Sequence, residues 1–309
     1  MALALSKPLG GLSMAAQKGT SNVLPSTGLV LIGIGMGTVE GLTLEAINAA
    51  KAADHRWYEA YTALWPEASL AVLEETVGPV ERVMRPDVER PERLFSLAST
   101  SLVALLVVGD PLQATTHVDL QLRAMEHGIP CAVVHGISIT NLVTGAVGLS
   151  NYRFGRQTTL TYPYGDWVAT SPLEVLASNK EQNLHTLALL DLDPTGQGTG
   201  EQRPMCPADA VNSLRMMWQK LADEDEDPHA DVNGLVAFRR FAFTRYLDQT
   251  FEDISVVLCS DLGTPEQQIV TTTLGQLSDE PGGRLNCLVF PANTGEVEEK
   301  ALTRWVRGE

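Results

Sequence analysis

Three short segments carry residue types suited to chemistry, and each directly follows an apolar run. Gly33-Ile34-Gly35-Met36-Gly37 exposes backbone that a ligand can approach closely, because glycine has no Cβ. A helix starting nearby would aim free N–H groups at an anion. The dinucleotide pattern Gly-x-Gly-x-x-Gly is incomplete, since Thr38 occupies the sixth position. The second segment, Gly109-Asp110-Pro111-Leu112-Gln113-Ala114-Thr115-Thr116-His117, puts a carboxylate and several backbone polar groups at a strand exit. Open α/β sheets bind ligands at such exits, although a plain β-turn with Asp110 capping the next helix has the same composition. The third, His135-Gly136-Ile137-Ser138-Ile139-Thr140-Asn141, opens a helix after another strand, and Ser138 suits both an N-cap and a ligand contact. Three strand exits along one sheet edge form a pocket. His117, Asp110 and Glu59 are candidate bases and no more, since a histidine at a helix start bonds nearby backbone equally well.

The elements that position these segments follow from periodicity. Leu29–Ile34, Leu102–Val108 and Cys131–His135 are apolar without alternation, as strands covered on both faces of a parallel sheet are. Thr43 is expected to cap a helix that buries Leu44, Ile47, Ala50 and Ala53. A strand at Arg56–Tyr61, a helix at Ala68–Thr76, a strand at Val80–Met84 and a helix at Val118–His127 complete a β-α-β series ending near residue 150. Beyond Arg156 the texture changes. An alternating strand at 158–162, a helix after Pro172 and a strand at Thr186–Leu192 lead to a Gly/Thr-rich loop at Pro194–Gly200. A helix at Ala208–Leu221, an acidic surface run from Asp223 to Pro228 and a helical stretch at Val232–Gln249 follow. Strands at Ile254–Cys259 and Leu285–Phe290 and a helix at Val297–Val306 close a second α/β domain.

The organisation expected is therefore a leader at 1–28, rich in Ser, Gly, Ala and Thr, then an α/β domain at 29–150 and another at 151–309. At 309 residues and 44% hydrophobic side chains, the chain can bury two ordinary cores. The net charge of -16 offers no basic stripe for phosphates, which argues against direct nucleic-acid binding. No apolar run is long enough to span a bilayer. Cys131, Cys206, Cys259 and Cys287 lack the close spacing of zinc sites or redox dithiols, so no metal is expected and the three in apolar runs read as buried hydrophobes.

Several motifs together resemble the diphthine synthases, within the larger group of tetrapyrrole-type methyltransferases. They are Leu31-Ile32-Gly33-Ile34-Gly35, Tyr58-Glu59-Ala60-Tyr61-Thr62, Gly109-Asp110-Pro111 with Ala114-Thr115-Thr116-His117, His135 with Ser138-Ile139, Tyr152-Arg153-Phe154-Gly155, and His185-Thr186-Leu187 with Leu190-Asp191. The resemblance runs in order from about residue 29 to about 300. It implies two α/β domains in the tetrapyrrole-methylase manner, with a parallel sheet in the first and an S-adenosylmethionine cleft between them. It further implies a cytoplasmic homodimer that repeatedly N-methylates the aminocarboxypropyl histidine of translation elongation factor 2. Carried over by position, the cofactor contacts are Met36, Asp110, Gln113, Ser138, Ile139, Leu190, Leu262 and Asn286. The chain departs from the family at Cys259-Ser260-Asp261-Leu262-Gly263, where Ala-Arg-x-Gly is usual, reversing a charge beside the expected cofactor site. Two other readings share parts of this pattern: a corrin or porphyrin C-methyltransferase of the same fold, and a nucleotide-binding module without turnover.

Overall fold

The computed structural model describes residues 24–199, 202–223 and 234–307. Most of the expected leader and the acidic run beyond Asp223 lie outside these residues.

The first sheet consists of β1 (Gly28–Gly33), β2 (His55–Glu59), β3 (Glu81–Val83), β4 (Leu102–Val107) and β5 (Cys131–Val134), in the order β3-β2-β4-β1-β5. Every pairing is parallel. Side chains alternate across the sheet, so Val30, Ile32, Ala104 and Leu106 enter one core while Leu29, Leu31, Val103 and Leu105 enter the other. Both faces are covered, which is why β1 and β4 read as unbroken apolar runs. Each fully buried aliphatic side chain here contributes about 1.5–3 kcal/mol relative to exposure.

The covering helices of this half are α1 (Leu44–Ala52), α2 (Glu67–Val77), α3 (Arg85–Glu89), α4 (Glu92–Ala98), α5 (His117–Glu126) and α6 (Ile139–Val147). Thr43 caps α1 as expected, its hydroxyl accepting from Ala46 N at 3.0 Å. The buried face of α1 is rotated from the one expected. Ala46, Ala49 and Ala50 enter the core, whereas Leu44 is 73% exposed. Small side chains let the helix lie close on the sheet, and Leu44 in the first turn points past that contact. The helices α3 and α4 had no apolar signal; Pro86 and Pro91 at their starts, amid charged residues, read as loop.

The second sheet consists of β6 (Thr158–Leu160), β7 (Thr186–Leu190), β8 (Ser255–Ser260), β9 (Gln268–Thr273) and β10 (Asn286–Phe290), in the order β6-β7-β10-β8-β9. Only β6 and β7 are parallel; the other pairings are antiparallel. Its helices are α7 (Ser171–Glu181), α8 (Pro207–Asp223), α9 (Gly234–Tyr246), α10 (Leu274–Leu277) and α11 (Glu296–Thr303). Val143 and Val147 of α6 pack with Val257, Cys259 and Val289 of this sheet, so the last helix of the first half is bolted onto the second. Cys259 and Cys287, distant in sequence, sit opposite each other on β8 and β10 as free buried thiols. Cys131 is only half-buried because β5 is an edge strand, and Cys206 is exposed. No helix among the described residues is long and apolar enough to cross a membrane.

Candidate functional site

The exits of β1, β4 and β5 are joined through three glycines. A Cβ at Gly33 would stand 2.5 Å from Gly136 N, and one at Gly136 would stand 2.3 Å from Gly109 O. No side chain fits, so the three loops meet backbone to backbone. Gly35 and Gly109 extend this contact as an isolated bridge, with Gly109 N donating to Gly35 O at 2.8 Å.

Asp110 locks the arrangement from behind. Its Oδ1 accepts from Leu112 N at 2.9 Å, and its Oδ2 from His135 Nδ1 at 2.8 Å and Gly136 N at 3.2 Å. It is 5% exposed and does not line the cleft in front of the loops. The other seven residues expected to meet a cofactor do line that cleft, which encloses about 900 Å³ including its open mouth. That size is in the range of small-molecule sites. Met36 comes from the β1 exit, Gln113 from the β4 loop, and Ser138 and Ile139 from the start of α6. Leu190, Leu262 and Asn286 come from the second sheet, so the cleft runs between the two halves.

Local structure explains how several of these residues are held. Ser138 caps α6, its hydroxyl accepting from Thr140 N and Thr140 Oγ1. Asn286 Oδ1 accepts from Ser260 Oγ and Gly283 N, each at 2.8 Å, pinning the ends of β8 and β10. Met36 packs against Gly263, where an added Cβ would lie 2.7 Å from the Met36 Cβ.

Asp261, the charge reversal noted in the sequence, turns out to be compensated. It occupies a left-handed turn, with φ 47°. Its carboxylate accepts from the backbone N–H groups of Arg284 and Leu285 at 2.9 and 3.0 Å and faces the Arg284 guanidinium at 3.8 Å. Arg284 Nη1 in turn donates to Leu64 O at 2.6 Å, linking the second half to the first across the cleft. Periodicity gave no signal for Arg284, Thr62 or Thr115, all of which line the cleft.

Of the candidate bases, none reaches the cleft directly. His117 is 2% exposed and Glu59 is fully buried; their side chains meet at 3.1 Å. Burial works against a charged His117. The bond and charge of Glu59 together with the Pro111 carbonyl outweigh it, so the imidazole is held above its ordinary range. On the far side of the cleft Asp193 organises the Gly/Thr-rich loop. Burial alone would raise its carboxyl, but bonds from the Thr195 hydroxyl and from loop N–H groups hold it below the usual range. Gly198 of that loop accepts from Arg85 N at 3.4 Å, a second bridge between the halves.

The pattern of known proteins agrees with this construction. The family described as Tetrapyrrole (Corrin/Porphyrin) Methylases matches residues 28–232. A diphthine synthase of Methanocorpusculum labreanum is 37% identical over 280 residues, covering 90% of this chain and 98% of its own length. Another, from Methanospirillum hungatei JF-1, is 37% identical over 197 residues, or 63% of this chain and 75% of the relative. A crystal structure of diphthine synthase superposes with a TM-score of 0.72 at 27% identity, covering 90% of this chain and 95% of that one. With the glycine-joined strand exits, the cleft between unlike sheets and similarity along nearly the whole chain, the protein belongs to the diphthine synthases, the S-adenosylmethionine-dependent methyltransferases of diphthamide biosynthesis within the tetrapyrrole methylase family.

Proposed function

We propose that the cleft holds S-adenosylmethionine and that the enzyme methylates the amino group of the aminocarboxypropyl histidine on translation elongation factor 2. The observation that carries the cofactor placement is the convergence of Met36, Gln113, Ser138, Ile139, Leu190, Leu262 and Asn286 on one cavity from six separate elements and loops. Their chemistry fits the group. Met36, Ile139, Leu190 and Leu262 offer apolar walls for an adenine and a thioether chain, while Gln113, Ser138 and Asn286 offer a few polar contacts that fix orientation. Asp110 acts through the wall it braces.

When bound, the cofactor supplies a methyl group already activated on a sulfonium. The protein's part is then to hold the amine in line with that methyl and to exclude water. The packing of Met36 on Gly263 and the Arg284 bond to Leu64 tie the two halves together around the cleft. No side chain needs to act as a dedicated base if the amine arrives deprotonated.

The enzyme works as a cytoplasmic homodimer in this reading. Val118, Leu122 and Met125 form an exposed apolar stripe along α5 at helical spacing, which suits a protein–protein contact. The experiment that tests the function is mass spectrometry of elongation factor 2 carrying the aminocarboxypropyl histidine, after incubation with this protein and S-adenosylmethionine. Successive methyl-mass additions on that histidine are expected. An unchanged mass, with cofactor binding demonstrated separately, would overturn the reading.

A further inference from the structure

Behind the cleft wall lies a chain of polar groups that the methyl transfer described above leaves without a role. Thr62 lines the cleft, and its backbone N–H and its hydroxyl both donate to Glu59 Oε1. The other oxygen of Glu59 faces His117 Nε2 at 3.1 Å. His117 Nδ1 faces Pro111 O at 3.0 Å. The four groups come from the exit of β2 and from the Gly-Asp-Pro loop, so two loops of the first sheet are coupled through buried polar atoms.

Partner chemistry fixes where the hydrogens are. A carbonyl only accepts, so His117 Nδ1 carries a hydrogen. Glu59 Oε2 and His117 Nε2 meet off the line of an ideal hydrogen bond, and neither has a better-aligned partner. The bond and charge of Glu59 hold the imidazole toward its protonated form, so an imidazolium faces the carboxylate. An ionised carboxylate accepts and never donates. The single hydroxyl hydrogen of Thr62 is consequently committed to Glu59, which leaves the oxygen of this cleft-lining residue only lone pairs to offer. Thr62 Oγ1 has no other hydrogen-bond partner among the described residues.

We propose that Thr62 Oγ1 is the acceptor that grips an N–H of the substrate amine and aims its lone pair at the methyl group. Glu59 and His117 are positioning residues that act through Thr62 by fixing which way its hydroxyl points. The proposal rests on the reading of the substrate as an amine. A threonine free to rotate could donate or accept; a pinned one accepts only, and so selects a ligand that donates.

The test compares Thr62→Val, which keeps shape and loses the hydroxyl, with Thr62→Ser, which keeps it. Elongation factor 2 carrying the aminocarboxypropyl histidine is the substrate, and calorimetry measures S-adenosylmethionine binding to each variant. Thr62→Val is expected to lower kcat about 10²-fold, the scale of a misplaced reactant, with KM for the factor and cofactor affinity close to wild type. Thr62→Ser is expected to restore most of the rate. Glu59→Leu, which takes away the acceptor and leaves the Thr62 hydroxyl free to rotate, is expected to fall with Thr62→Val; should that variant not fold, the Thr62 pair decides alone. A Thr62→Val enzyme that turns over like wild type, that loses cofactor binding, or that is matched in its loss by Thr62→Ser overturns the proposal. A wild-type enzyme that binds cofactor and leaves the factor unmethylated overturns the amine reading, and with it this one.

Discussion

Each half of the molecule buries one carboxylate–histidine pair, and the two are wired in opposite ways. In the second half, Glu298 accepts from Ser150 N at 3.0 Å, Gly295 N at 3.2 Å and the Arg153 guanidinium, and faces His185 Nε2 at 3.2 Å. His185 Nδ1 accepts from Ala292 N at 2.9 Å, so that nitrogen carries no hydrogen and the ring is neutral. Burial chiefly holds His185 below its ordinary range, against the pull of Glu298. In the first half, Glu59 has His117 as its one ion-pair partner among the described residues, and His117 presents a hydrogen on each nitrogen. One histidine is a neutral strut in a scaffold whose counter-charge is an arginine. The other is itself the counter-charge. Residue identity and burial are nearly the same in the two places; the backbone group facing Nδ1, an N–H in one and a carbonyl in the other, separates them.

The largest expected effect follows from that difference. His117→Leu leaves Glu59 buried without a counter-charge, held only by its bonds from Thr62, and is expected to cost about 3–5 kcal/mol, the scale of a broken buried pair. His185→Leu leaves Glu298 still held by Arg153 and two backbone N–H groups, and is expected to cost about 1–3 kcal/mol, the scale of lost hydrogen bonds. Urea unfolding of both variants at neutral pH checks the order. Equal losses would break the comparison.

Acidity sharpens it, because the two histidines pull stability in opposite directions. His117 is raised in the folded protein, so its contribution is complete below the unfolded value of about 6.5 and is lost as pH rises through the folded one. His185 is lowered, so its contribution is complete above about 6.5 and is lost as pH falls through the folded value. Each pH unit of displacement corresponds to about 1.4 kcal/mol. Unfolding midpoints measured across pH are expected to flatten on the alkaline side in His117→Leu and on the acid side in His185→Leu. The same flattening in both would mean that the protonation states are not set by the Nδ1 partners.

Glu59 and His117 were each visible in the sequence as titratable candidates, yet their meeting was not, because a contact between two strand exits has no local signal. The strands of the first sheet were legible for a physical reason: coverage on both faces leaves continuous apolar runs in β1, β4 and β5. The edge strand β9, Gln-Ile-Val-Thr-Thr-Thr, is half-exposed along most of its length and passed for loop. The stretch at 232–249 was read as helical without a place; α9 occupies it, and Ala242, Phe243 and Tyr246 enter the second core. The cleft residues were legible through the family resemblance and not through periodicity. Leu190 and Asn286 are ordinary strand residues until the fold brings their ends beside the β4 loop. Asp261 shows the limit most clearly. In the sequence it is a reversed charge; in the fold its carboxylate caps backbone N–H groups and faces Arg284, so the local balance is kept.

The smallest expected effects separate a scaffold from a working site. Arg153 reaches Glu298 and the carbonyls of Asn183 and Asn293 with one planar fork, and it is about a quarter exposed. Lysine keeps the charge and loses the fork, so Arg153→Lys is expected to cost about 1–2 kcal/mol of stability with kcat unchanged, since none of its partners lines the cleft. Thr62→Val is the reverse. It removes one hydroxyl at the cleft wall while Glu59 keeps its bond from the residue 62 backbone N–H and its pairing with His117. Stability is expected to move by about 0.5 kcal/mol or less, while turnover falls. Denaturation and steady-state rates measured on the same two preparations give a crossed result if the two pairs differ in kind. If both variants lose stability and rate together, Glu59–His117–Thr62 is a strut like its counterpart around Glu298, and the contrast between them is one of position alone.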